Sequence, residues 1–303
     1  EGLVGWGEAA PTAYYKQTVD SNQAALEAMA ERLGNDPFAF DAILDPIRRD
    51  FADQFAAVAA LDAALHDLCG KLLGIPVWKW LGLDRSRTPL TSFTIGIDSL
   101  DVIASKVREA AEYPILKIKV GTAEDEDILR TIRREAPDKI LRVDANCGWT
   151  SENVVEQARR LSEYRLELIE QPTPRGMHDA LPALRAEKIA PILADESCIG
   201  VEDVLNCVGA FDGINIKLSK CGGIRQALKM IHTARSAGLK VMLGCMVETS
   251  VGIAAAAQLA PLVDYVDLDG HLLLADDPFE GIGGAGGVLT LNDRPGLGVV
   301  ERR

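Results

Sequence analysis

The residues with the most evident chemical potential are lysines and carboxylates placed where apolar segments end. Lys117-Ile118-Lys119 is the first such group. Residues two apart on a strand point to one face, so both ammonium groups share a direction and Ile118 takes the other. Like charges so placed repel, which is expected to lower the pKa of at least one lysine and make it a base near neutrality. Taken alone, the pattern also fits an edge strand carrying two solvated lysines. Three acids follow: Asp144 in Arg142-Val143-Asp144-Ala145-Asn146, Glu170 in Leu168-Ile169-Glu170-Gln171-Pro172, and Asp195 in Leu193-Ala194-Asp195-Glu196-Ser197. One acid at a segment end says little, but three in succession repel unless a cation sits among them. An all-carboxylate set suits Mg2+, which keeps positions open for water or substrate. Lys217, in Asn215-Ile216-Lys217-Leu218, closes another apolar run. Asp267 and Asp269 flank Leu268 and face one way. Neither is needed for the ion, so the pair is expected to hold a cationic substrate group such as an α-ammonium.

Positioning these side chains requires a regular scaffold. From Leu90 onward, short apolar segments recur at 91–98, 115–121, 140–146, 166–172, 191–197, 213–219, 240–246 and 265–269, with amphipathic helical stretches between them. Such a repeat implies parallel strands with right-handed crossovers. Eight of them most simply close into a barrel, with a doubly wound open sheet as the other solution. In a barrel the carboxyl ends of the strands form the active face, and charges there escape the cost of lying in the core. The sixth strand then lies across from the second, so Lys119 and Lys217 approach the centre from opposite sides. A carbon beside a carboxylate is a weak acid, and removing its proton gives an enediolate. A divalent cation on that carboxylate stabilises the developing charge. One lysine takes the proton, and the other returns one with inverted configuration.

The first 89 residues do not repeat. They read as a strand at 2–9, a turn at Pro11-Thr12, and helices at 22–33 and 52–73, the latter ending at Gly74 before Pro76. Because the opening segment reads as mid-sheet, an earlier piece of this domain is expected to be absent. The tail from Asp276 is glycine-rich, with a strand-like run at 287–292. Its Gly281-Ile282-Gly283-Gly284-Ala285-Gly286 matches a dinucleotide fingerprint but precedes a strand instead of opening a helix, so that reading is rejected. The chain holds 303 residues, is 48% hydrophobic and carries a net charge of −13. These values allow a large core and disfavour nucleic acid and anionic membranes as partners. No apolar run reaches the roughly 20 residues of a membrane span. Six dispersed cysteines without a C-x-x-C pair read as free thiols in a reducing cytoplasm.

Along nearly its whole length the chain resembles the muconate-lactonizing branch of the enolase superfamily. The likeness is carried by Ala59 to Asp67 with Asp62 and His66, by Gly70-Lys71 and Lys117-Ile118-Lys119, and by Asp144-Ala145-Asn146. Glu170-Gln171-Pro172, Asp195-Glu196-Ser197, Lys217 and Gly222-Gly223 complete it. A lysine or histidine base beside Mg2+ is the general pattern of enolase-superfamily sites. The resemblance implies an α+β capping domain (1–89) over a (β/α)7β TIM-type barrel (90–275), with a C-terminal segment (276–303) returning to the cap. It implies one Mg2+ per subunit on Asp144, Glu170 and Asp195, an acid/base pair of Lys119 and Lys217, and electrostatic help from Lys117. Asn146, Glu196, Asn215 and Glu248 are candidates for a supporting shell. Asp267-Leu268-Asp269 resembles the motif with which dipeptide epimerases hold the substrate's α-ammonium. That favours epimerisation at the C-terminal residue of a dipeptide over N-acylamino acid racemase, o-succinylbenzoate synthase or muconate-type cycloisomerase activity. A metal-binding barrel without turnover is the alternative of another class. Tyr14, Tyr15 and Lys16 are candidates for a cap loop over the site, His66 for a packed core residue and His271 for a substrate contact. A cytoplasmic homo-oligomer acting on a small carboxylate substrate is the resulting expectation.

Overall fold

Eight short strands, β1 (Phe93–Ile95), β2 (Ile115–Lys119), β3 (Ile140–Asp144), β4 (Leu166–Glu170), β5 (Ile192–Ala194), β6 (Gly213–Ile216), β7 (Lys240–Gly244) and β8 (Tyr265–Asp267), pair in sequence order and in parallel. The computed structural model describes residues 2–302. A parallel bridge between Thr91 and Val266 joins the first strand region to the last and closes the ring. Helices α5 (Leu100–Glu109), α6 (Asp125–Glu135), α7 (Val154–Leu161), α8 (Leu181–Ala186), α9 (Val201–Val204), α10 (Leu218–Cys221), α11 (Ile224–Ser236) and α12 (Ser250–Ala257) fill the crossovers. This is the expected (β/α)7β barrel. Each strand is shorter than the apolar segment that announced it. Lys217, for instance, lies just past β6 as the residue preceding α10.

Alternation within the strands sorts side chains between two cores. Leu116 and Ile118 join the large apolar layer between barrel and helices. Leu168, Leu193 and Met242, with Tyr265 packed against them, form a separate small cluster. Those four sit two residues before Glu170, Asp195, Gly244 and Asp267, hence on the same face. An apolar plug therefore fills the barrel beneath the charged residues. Strand register aligns the level above it: Lys119 pairs with Asp144, and Asp144 with Glu170.

Preceding the barrel are α1 (Val19–Ala30), α2 (Phe40–Asp50), α3 (Phe55–Leu73) and α4 (Val77–Trp80). Thr18 and Ser21 cap α1 reciprocally, and Gly74, at φ 71°, ends α3. Almost every residue of α3 from Ala56 to Gly70 is buried, because it packs against α1 and α2 on one side and α10 and α11 on the other. His66 is buried on it and stacks on Phe40 with ring centroids 4.7 Å apart.

Two sequence expectations are corrected here, and one helix is added. The segment expected as a strand at 2–9 has no regular secondary structure and no strand partner among the described residues. Gly5 and Gly7 lie so close to the Ala64 and Ala60 carbonyls of α3 that no Cβ fits. Trp6 N donates to Asp67 Oδ2 at 2.8 Å, and Lys71 Nζ donates to the Val4 carbonyl at 2.7 Å. Its partner is a helix, so the cap is helical among the described residues. Helix α2 escaped notice because Pro46 sits inside it. In the tail, 287–292 forms no named strand; β9 (Phe279–Glu280) and β10 (Val300–Glu301) pair instead. The tail touches the end of α3, where Leu297 N donates to Asp67 Oδ1 at 2.8 Å and Gly296 bridges Pro76. All six cysteines are free. No described helix is long and apolar enough to cross a membrane.

Candidate active site

A cavity of about 420 Å3 opens at the carboxyl ends of the strands, roofed by Thr12, Tyr14 and Tyr15 of the cap. Lys117, Lys119, Asn146, Asp195, Glu196, Lys217, Asp267 and Asp269 line it. Asp144, Glu170 and Asn215 lie just beneath, fully buried. Glu248 is buried in the loop after β7 and does not reach the cavity. Its carboxylate accepts from Met246 N at 2.8 Å. Lys16 and His271 do not line the cavity either. The His271 ring turns to the tail, with Nε2 2.7 Å from the Gly283 carbonyl.

Lys117 sits at the centre of the charge network. Its Nζ lies 2.6 Å from Asp267, 2.7 Å from Glu170 and 3.1 Å from Asp144. Lys119 reaches Asp144 at 2.7 Å, and Lys217 reaches Asp195 at 2.8 Å. The second and sixth strands are four places apart in a ring of eight, so Lys119 and Lys217 stand on opposite walls. For Lys117 the expectation of a lowered pKa is corrected. Burial disfavours the charge on Lys117, but Asp267, Glu170 and Asp144 outweigh burial and hold its pKa well above the ordinary value. Lys217 is likewise held high, with Asp195 overcoming burial. The repulsion inferred from neighbours in sequence is outweighed by carboxylates arriving from β3, β4 and β8.

The acids respond in kind. Burial alone would raise Asp144, but Lys117 and Lys119 bring it down to about 2. Glu170, raised by burial and then by the Asp144 charge, stands at about 7. Asn215 Nδ2 donates to Glu170 Oε1 at 2.7 Å. Asn146 Nδ2 donates to Glu196 Oε1 at 3.3 Å, while Glu196 Oε2 is buried without a partner. At the end of β8, Ser92 Oγ donates to Asp267 at 2.6 Å and Thr94 N to Asp269 at 2.7 Å. Burial and the Asp267 charge push Asp269 up to about 6.

Sequence reasoning missed two supports of Asp195. Lys220 is fully buried and donates to the Asp195 carboxylate, to the Asp195 carbonyl at 2.7 Å and to the carbonyls of Asn215 and Cys198. Nothing in its local sequence sets it apart, because its partners come from separate elements. Gln171 accepts from the main-chain N–H of Asp195 at 2.9 Å and of Ser197 at 3.0 Å, tying the ends of β4 and β5 together. It does so from a left-handed backbone, φ 35°, as Asn146 (φ 42°) and Cys147 (φ 67°) do beside it. Strain of this kind costs about 1–3 kcal/mol per residue and gathers at functional sites.

Among the described residues, no three acid, histidine or cysteine side chains are gathered around one point as a bound ion gathers them. Asp144, Glu170 and Asp195 each turn to a lysine instead. Their chemistry nonetheless fits Mg2+. All three are buried oxygen donors on adjacent strands, and each carries a charge that bears on its neighbours. A divalent cation relieves that repulsion.

Comparison with known proteins places this geometry. Residues 1–82 match the mandelate racemase/muconate lactonizing enzyme N-terminal domain, and residues 101–302 match the enolase C-terminal domain-like family. The chain belongs to the mandelate racemase/muconate lactonizing enzyme family. One member, the L-Ala-D/L-Glu epimerase of Bacteroides thetaiotaomicron, is 43% identical over 99% of this chain and 79% of its own length. A solved member, the dipeptide epimerase of Enterococcus faecalis complexed with Mg and L-Leu-L-Tyr, is 36% identical and superposes with a TM-score of 0.92. That match covers 98% of this chain and 88% of the other. The dipeptide epimerase of Methylococcus capsulatus, complexed with Mg and L-Arg-D-Lys, is 36% identical with a TM-score of 0.91 and covers 99% of this chain and 88% of its own. These members of the family are epimerases, and hence isomerases.

Proposed function

We propose that this chain is a Mg2+-dependent dipeptide epimerase that inverts the α-carbon of the C-terminal residue by passing its proton between Lys119 and Lys217. The observation that carries the reading is the placement of those two lysines on opposing walls, with the Asp144, Glu170 and Asp195 group at the ends of β3, β4 and β5 and the Asp267–Asp269 pair at the end of β8. An acid group able to hold a cation, with a further acid pair on another strand, suits a molecule that carries both a carboxylate and an ammonium. Asp144, Glu170 and Asp195 are the residues that would hold Mg2+, which supplies positive charge beside the substrate carboxylate and offsets the charge of the acids.

One lysine, as the neutral amine, takes the α-proton on its face, while the other, as the ammonium, gives a proton to the opposite face. A cation held by Asp195 would offset the carboxylate charge that keeps the Lys217 proton in place. Running the same steps backwards exchanges the roles, so either configuration is accepted. Lys117 stays charged, because three carboxylates hold its proton, and it serves as a fixed positive charge. Asp267 and Asp269 receive the α-ammonium through charge-assisted hydrogen bonds, and the Tyr14–Tyr15 turn screens the site from water.

Proton NMR in ²H2O with Mg2+ and a small set of dipeptides tests the reading. Wild-type protein is expected to place deuterium at the C-terminal α-carbon of both diastereomers. Lys119→Ala and Lys217→Ala are each expected to lose exchange with a different diastereomer and to lower epimerisation by about 10²–10⁴-fold. Equal loss with both diastereomers in both variants argues against a two-base reaction. Asp267→Asn and Asp269→Asn are expected to reduce turnover of dipeptides while Mg2+ binding persists.

A further inference from the structure

The cavity changes character above Asp267 and Asp269. There the loop after β7 contributes Cys245, Met246 and Val247, and the turn after β8 contributes Leu273. Val247 is 60% exposed and Leu273 44% exposed, so two large apolar side chains stand open on the rim. The two loops are in contact: Gly270 is buried, and a Cβ on it would strike the Met246 carbonyl. The charged groups nearby are already engaged. Asp267 is held by Ser92 and Lys117, Asp269 accepts from Thr94 N, and the Glu248 carboxylate is buried and accepts from Met246 N. No cationic side chain from either loop lines this part of the wall.

We infer that Met246, Val247 and Leu273 form the subsite for the side chain of the substrate's first residue, and that they select an uncharged, apolar one. The inference rests on the dipeptide reading above. With the ammonium held by Asp267 and Asp269, the first α-carbon is one bond away, so its side chain must lie along this stretch of wall. An apolar side chain there leaves water for contact with Val247 and Leu273. A glutamate would bring its charge beside the two aspartates. A lysine would lose hydration against apolar side chains and find no free carboxylate.

The test measures kcat/KM for deuterium exchange at the C-terminal α-carbon of L-Ala-L-Ala, L-Leu-L-Ala, L-Glu-L-Ala and L-Lys-L-Ala, using the full chain with Mg2+. The apolar pair is expected to exceed the charged pair by about tenfold or more, the scale on which pocket contacts discriminate. Leu273→Asp and Val247→Asp, both at exposed positions, are expected to raise L-Lys-L-Ala relative to L-Leu-L-Ala by about tenfold. Equal rates for all four dipeptides, or variants that leave the ratios unchanged, overturn the subsite while the epimerase reading stands. Absence of exchange with every dipeptide overturns both.

Discussion

Glu248 shows how a single buried carboxyl links composition to pH. Burial, with a further push from Glu8, raises it to about 7. In the unfolded chain it returns to about 4.3. Folding therefore favours the protonated form, so its contribution is fully present below about pH 4.3 and is lost as pH climbs towards 7. Glu248→Gln keeps the acceptor for Met246 N and removes the titration. In urea melts, the variant's stability relative to wild type is expected to rise between pH 4.5 and pH 7 by on the order of 2 kcal/mol and then level off. A difference that stays flat across that range sinks this account. Lys220 is a buried side chain whose amine donates to the Asp195 carboxylate. Lys220→Met is expected to cost about 3 kcal/mol in the same melts, since it leaves a buried carboxylate short of a partner. Sequence made Asp144, Glu170, Asp195, Lys119 and Lys217 visible, because charges closing successive apolar runs point together to the ends of neighbouring strands. It did not make Lys220 visible, nor the direction of the Lys117 shift. Both depend on groups more than twenty residues away that only the closed barrel brings near.

At the level of elements, periodicity was a good guide where each strand buries both faces, and a poor one where a segment lies on something else. The residues 2–9 have the look of a strand, yet Gly5 and Gly7 are there to let backbone rest on α3. The same composition serves either end, and only the partner decides. Gly244, at the end of β7, has a comparable role inside the barrel. A Cβ built on it would lie 2.6 Å from Asn215 Oδ1 and 2.7 Å from Asn215 Nδ2. Asn215 is the residue that holds Glu170. Gly244→Ala is therefore expected to displace the amide, loosen Glu170 and weaken Mg2+ binding by about tenfold, at a folding cost of about 1–3 kcal/mol. Isothermal titration with MgCl2 checks it, and an unchanged affinity shows that Asn215 does not position Glu170. A cap helix reaches the barrel in a similar way. Asp62 of α3 accepts from Ile224 N at 2.6 Å, at the start of α11 and a few residues past Lys217. The Asp62 position within an Ala- and Leu-rich helix was legible as a motif, but its target was not.

For the molecule as a whole, net charge and the buried acid group make one joint prediction. A chain at −13 repels itself, and any salt relieves part of that repulsion by screening. A site built from Asp144, Glu170 and Asp195 adds a specific response, because an ion that binds only the folded state stabilises it by mass action. At one hundred times its dissociation constant, Mg2+ is expected to contribute about 2.7 kcal/mol. For a domain of this size that corresponds to a rise in Tm on the order of 5 °C. NaCl at matched ionic strength reports the screening alone, so the two are separable by differential scanning calorimetry. Asp195→Asn starts from a lower Tm, since Lys217 and Lys220 lose their carboxylate. It is expected to keep the NaCl response and lose the excess produced by Mg2+. If MgCl2 and NaCl move wild type by the same amount, the acids are paired with lysines for structure and do not hold an ion. If the excess survives in Asp195→Asn, the ion binds elsewhere. The opposed lysines would then face a cavity lacking the positive charge that proton removal beside a carboxylate requires.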